Sequence, residues 1–123
     1  MKIAHFTDLE VWKEAHKLTL LIYGITKNFP STEIYGLTSQ IRRASVSIES
    51  CIAEGFYRFH YKDRVNFYYD ARGSVGEVQS QIIDSKDLKF CNETNFQKIW
   101  QQSEKVRVLL QGLINSTNYL SRR

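Results

Sequence analysis

The sequence predicts an all-α fold, an antiparallel up-down-up-down four-helix bundle. Three observations carry that expectation. Four long stretches place apolar residues at steps of three and four, the period of one helix face. The only proline is Pro30, so nothing else breaks a helix outright. No segment alternates with the two-residue period of a strand, and there is no internal repeat or low-complexity tract. A chain of 123 residues is expected to form one domain, 1–123, with a core that needs no staples.

The first helix is expected over about 8–28. Thr7 or Asp8 is its N-cap, and Glu10 favours the helix N-terminus. Val11, Ala15, Leu18, Ile22, Ile25 and Phe29 form its seam, widened by Trp12, Leu20, Leu21 and Tyr23. Pro30 ends it, and Ser31 or Thr32 caps the second helix, about 32–56, with Gly55 as a C′ residue. The second seam is Leu37, Ile41, Ala44, Ile48 and Cys51/Ile52. The third helix, about 62–88, buries Tyr68, Ala71, Val75, Val78 and Ile82. The fourth, about 94–120, buries Phe96, Ile99, Val106, Leu110, Leu113 and Leu120, with Ser103 and Thr117 as polar interruptions.

The second and third helices carry more than one buried face requires. Far from the second seam lie Tyr35, Val46 and Ala53, where a lone globule would place Lys and Glu. Gly73 and Gly76 share the side of the third helix opposite its seam. Glycine inside a helix costs ~1 kcal/mol against alanine, so two on one face point to the close approach of another backbone. If the two helices form a hairpin turning near 59–60, Arg42 lies level with Glu77 and Arg43 with Gly76. Gln40 then faces Gln79, and Ser45 faces Ser74. Two readings are open for this surface. One is a solvated ion pair worth ~0–1 kcal/mol. The other is a polar subunit interface of a homo-oligomer, built from Arg42, Arg43, Val46, Ala53, Gly73, Gly76 and Glu77. There the arginines would supply planar, multi-donor hydrogen bonds.

The net charge of +4 is mild, and part of it comes from the adjacent Arg122 and Arg123. Such a balance permits nucleic-acid binding without requiring it. The densest mixture of cations and aromatics is FYRFHYKDRVNFYY at 56–69, with Arg58, Lys62 and Arg64. Aromatics beside cations suit stacking on unpaired bases while phosphates are neutralised. The ordinary alternative is that the rings plug the end of the bundle and the cations face water. Arg122 and Arg123 form either a second basic edge or a frayed tail.

Several classes are excluded on the residues. No apolar run approaches the ~20 residues that span a bilayer. The start, MKIAHFTDLEVWK, has acids where a leader would be apolar, so a cytoplasmic protein is expected. Cys51 and Cys91 lack metal spacing and read as free thiols. His5, His16 and His60 lack ligand spacing, so no metal and no cofactor is expected. Glu49 and Glu54 share a helix without a partner acid or base. GSVG at 73–76 is mid-helix and is no phosphate loop. No nucleophile has an adjacent base, so neither an enzyme nor a small-molecule substrate is expected.

The combination of FTDLEVWKEAHKL from Phe6, FP at 29–30, E-x-x-GL at 33–37 and QIRRASVSI at 40–48 is specific as a set. With IAEG at 52–55, Arg58 and GSVGE at 73–77, it resembles the 23S rRNA-intervening sequence proteins over about residues 6–120. The resemblance implies a four-helix bundle that assembles as a homopentamer, like the distantly similar accessory proteins of diversity-generating retroelements. Those relatives bind nucleic acid and a reverse transcriptase. The resemblance carries over no catalytic residue. Three positions depart from the pattern: Cys51 replaces a usual Asn, His60 a usual capping Ser, and Asp70 an apolar residue. The expected function is thus a non-enzymatic oligomer whose partners are itself and RNA or DNA. The rival is an assembly scaffold or protein adaptor without nucleic acid.

Overall fold

The first helix, α1, runs from Glu10 to Thr26 in a computed structural model that describes residues 2–123. It begins later than expected because its acid caps an earlier turn. Asp8 closes a 3-10 turn, Phe6–Asp8, by accepting the backbone N–H groups of Ala4 and His5 at 3.0 Å each. Those two bonds hold its carboxyl below the usual aspartate range. Leu9, with no side-chain cap, then starts α1.

Pro30 starts a second 3-10 turn, Ser31–Glu33, and α2 spans Leu37–Phe56. Neither Ser31 nor Thr32 caps α2. Glu33 does so from four residues away, accepting the Leu37 N–H at 3.1 Å. A three-residue connection leads to His60, the N-cap of α3, Tyr61–Asp87; His60 makes no side-chain capping bond. Lys89, at φ 65°, ends α3 in a Schellman-type turn, with Phe90 N–H donating to the Ser85 carbonyl at 2.8 Å. Asn92 then caps α4, Glu93–Ser121, by accepting the Asn95 N–H at 2.8 Å.

Each helix packs on its chain neighbours, and α1 closes the square against α4. This is the up-down-up-down arrangement. The seam residues of α1 and α3 are all buried, as is most of the α2 seam. In α4 Phe96, Ile99, Val106 and Leu110 are buried as expected, and Ile114 is buried in place of Leu113 and Leu120, which are half-buried. Ser103 and Thr117 are buried with hydroxyls satisfied by backbone carbonyls one turn back. The two tryptophans lie flat on rings of their own helices: Trp12 on His16 at 5.0 Å and Trp100 on Phe96 at 5.8 Å.

Gly55 is no helix terminator. It lies inside α2, where a side chain would meet the Tyr68 ring at 2.6 Å and the Arg64 carbonyl at 3.1 Å. The close backbone approach expected of Gly73 and Gly76 occurs, within the chain, at Gly55. Gly73 and Gly76 face open space.

Candidate nucleic-acid and subunit interfaces

The N-terminus of α1, the α2–α3 connection and the C-terminus of α4 meet at one end of the bundle. Arg58, Lys62, Arg64, Arg122 and Arg123 are all there, in different states. Arg64 is half-buried and structural: its Nε donates to the Arg58 carbonyl at 2.7 Å, and its guanidinium lies between Phe56 and Tyr61. Arg58 is exposed, with its guanidinium 4.6 Å from the Phe67 ring centre. Lys62 and Arg123 line a depression of about 580 Å³ with His60, Tyr61, Asp63, Leu120 and Ser121. Arg123 therefore stands beside the first basic cluster, and Arg122 is exposed. Helical turns from Tyr119 and Leu120 hold their backbones there.

Some of the aromatics do plug the bundle end. Tyr68 is buried, with Val65 beside it in the core, and Phe56 and Phe67 are half-buried. Others do not. Tyr57 is 64% exposed and Phe59 87% exposed. A bond that sequence spacing could not reveal fixes Tyr57: its hydroxyl lies 2.8 Å from His5 Nε2, across 52 residues. The same ring stands edge-on to Phe6 and Phe56.

The residues assigned to a subunit interface are distributed over three surfaces. Arg42 does not reach Glu77. It docks on α1, donating from Nε to Thr26 Oγ1 at 2.8 Å with its guanidinium over the Tyr23 ring. Ala53 lies in a small groove with Phe6, Trp12, Glu49 and Ser50. Arg43 and Glu77 line a groove of about 320 Å³ between α2 and α3, with Gln40, Ala44, Ser47 and Gln81. Val46, one helical turn along α2 from Arg43, is 38% exposed.

The pairing across this groove corrects the expected register. Ser74 donates to Ser47 at 3.0 Å, not to Ser45, and Gln40 faces Gln81, not Gln79. Ser45 instead bonds to the Arg42 carbonyl, and Gln79 to Ser103 and Glu104 on α4. The physical reason is side-chain direction. Each helical side chain leans toward its own N-terminus and covers the level about one residue back. In an antiparallel pair the two leans add, so contacts move by about two positions from the backbone level.

Cys51 and Cys91 are free thiols, and burial pushes both above the usual cysteine range. They stay protonated and poorly nucleophilic at neutral pH. Among the described residues no helix is long and apolar enough to cross a membrane.

A family model for the 23S rRNA-intervening sequence proteins matches residues 7–112. The chain belongs to that family. Its fold is also that of a protein of unknown function from the S23 ribosomal protein family of Bacteroides thetaiotaomicron, solved by crystallography at 1.70 Å. The two superpose with a TM-score of 0.76 at 19% identity, covering 85% of this chain and 97% of the other. No curated protein sequence matches significantly.

Proposed function

We propose that this 23S rRNA-intervening sequence protein is a non-enzymatic cytoplasmic homo-oligomer that binds RNA or DNA through the phosphate backbone. The carrying observation is the convergence of Lys62 and Arg123 on one depression, with Arg58 and Arg122 exposed nearby. Two stretches 61 positions apart in the sequence thereby bring cations to one surface, with Asp63 as the one acid on the lining of the depression. Backbone charge is the main source of affinity for a nucleic acid that is not read base by base. Five copies, the number implied by the family resemblance, would repeat this surface around a ring and multiply a modest affinity.

Filter binding at two salt concentrations tests the reading. Counterion release predicts a steep loss of affinity as salt rises. No retention of RNA or DNA at low salt overturns it.

The rival reading, a scaffold or protein adaptor, is favoured by a different observation. Tyr35 is 95% exposed, and Val46 and Tyr57 add apolar surface elsewhere along the outer side of the α2 region. On that reading a pull-down recovers a protein, and substituting Arg58 and Lys62, whose side chains are exposed, leaves the recovery unchanged; Arg64, which holds the connection, is kept.

A further inference from the structure

Granted the phosphate binding proposed for this end of the bundle, we infer that its ligand is an unpaired strand, with Phe59 as the platform on which a base stacks. Phe59 occupies the tip of the α2–α3 connection and is 87% exposed. Its ring contributes almost nothing to the core. Its one close aromatic neighbour among the described residues is His60, in a T-shaped contact at 5.0 Å with an interplanar angle of 87°, which leaves at least one face of Phe59 uncovered by that ring.

The connection that carries this ring is pinned just before it. The Arg58 carbonyl accepts from Arg64 Nε at 2.7 Å, and the Arg58 N–H donates to the Gly55 carbonyl at 3.1 Å. Tyr57 is held by His5 at 2.8 Å. With the backbone held, only the two side-chain torsions of Phe59 are ordered on binding, so much of a stacking contact survives as affinity.

Charge around the tip fits the same ligand. Arg58 is one residue before Phe59, and Lys62 is three residues after it, on the wall of the depression shared with Arg123. Cations flanking a stacking ring are how a sequence-tolerant single-strand site follows its backbone. A duplex fits the tip poorly. Its bases are already stacked, and a ring can enter only by unstacking a step at a cost of about a few kcal/mol. The loop presents no helix face or ribbon shaped for a groove.

The test compares three probes at low salt: a single-stranded oligothymidylate, an abasic strand of the same length, and a fully paired duplex. The oligothymidylate is expected to bind roughly tenfold more tightly than the abasic strand. Phe59→Ala removes that advantage and leaves the salt slope unchanged. Lys62→Gln leaves the advantage and lowers the slope by about 0.7 for the one lost phosphate contact. Phe59→Trp keeps the advantage, and its added emission is quenched by the oligothymidylate but not by the abasic strand. Equal binding of all three probes, with Phe59→Ala neutral, overturns the inference and leaves phosphate binding intact. Retention of no probe overturns both and favours a protein partner. Because Phe59 lies outside the core, its variants are expected to fold, and circular dichroism checks this.

Discussion

The seam between α1 and α4 and the groove between α2 and α3 are both polar, and they are completed differently. On the α1–α4 side Glu14 is buried, yet every polar atom around it is engaged. Its carboxylate accepts from Lys17 and Lys105 at 3.0 Å each, and Gln102 donates to its backbone carbonyl at 2.9 Å. On the α2–α3 side Arg43 and Glu77 share a groove without an ion pair between them among the described residues. Gln81 Oε1 is buried there with no hydrogen-bond partner. An unpaired buried carbonyl is costly, and native folds rarely tolerate one. The first seam is finished by the chain itself. The second leaves Arg43 and Glu77 on an open groove without a side-chain partner among the described residues, the chemistry of a surface that a neighbouring copy would finish in the proposed assembly. Gln81 Oε1, by contrast, is already shut off from any neighbour.

The groove is not open because α2 and α3 fit badly. At Gly55 they touch so closely that no side chain fits. Gly55→Val is therefore expected to give the largest loss of stability, about 3 kcal/mol by overpacking. Thermal melting checks it, with a shift of roughly 10 °C. A melt unchanged by this variant would mean that the hairpin is looser than described.

Breaking the finished seam comes next. Glu14→Ala removes the carboxylate that two lysines share, while the backbone acceptor of Gln102 remains, and is expected to cost about 1.5–3 kcal/mol in urea unfolding. The same seam has a pH signature. Hydrogen bonds from Lys17 and Lys105 hold the Glu14 carboxyl down at about 2, from an ordinary 4.5. Arg107 and Gln79 do the same for Glu104 at the α3–α4 seam, also to about 2. The folded state takes up these protons at lower pH than the unfolded chain. Their stabilisation is thus fully present above pH 4.5 and drains as pH falls toward 2. Urea midpoints taken across that window should fall less steeply in Glu14→Ala than in the wild type.

The smallest effect is the most informative, because its sign decides. In an isolated chain Gly76→Ala meets nothing and should stabilise α3 by about 1 kcal/mol. Against a neighbouring copy the added methyl collides, and both stability and oligomer mass should drop. Gly76→Leu sharpens the contrast. Light scattering is expected to show a smaller particle while circular dichroism shows an intact helix content. An unchanged mass would remove Gly76 from the interface.

The helices were legible because their seams repeat cleanly. Each predicted apolar stripe on α1 and α3 is buried without exception. The starts were less legible because capping residues are not specific to α-helices. Asp8 and Ser31 both sit in short 3-10 turns that precede the helix proper. Gly55 was misread for a related reason: a glycine near a helix end looks the same whether it stops the helix or admits a neighbour. At the candidate site, the cluster at 56–64 was visible as composition. Its division of labour was not, since Arg64 differs from Arg58 only in where the chain folds it. The meeting of Lys62 with Arg123 depends on the closure of α4 against α3, which no local pattern encodes. A correction for the lean of helical side chains, however, could have found the Ser47–Ser74 pair from sequence.

Trp12 and Trp100 lie flat against rings near opposite ends of the bundle, the first beside Phe6 and the second early in α4. The molecule thus carries a separate light source at each pole. Single-tryptophan variants would report whether a bound strand tightens the cationic pole alone or stiffens the whole rod, with no label attached.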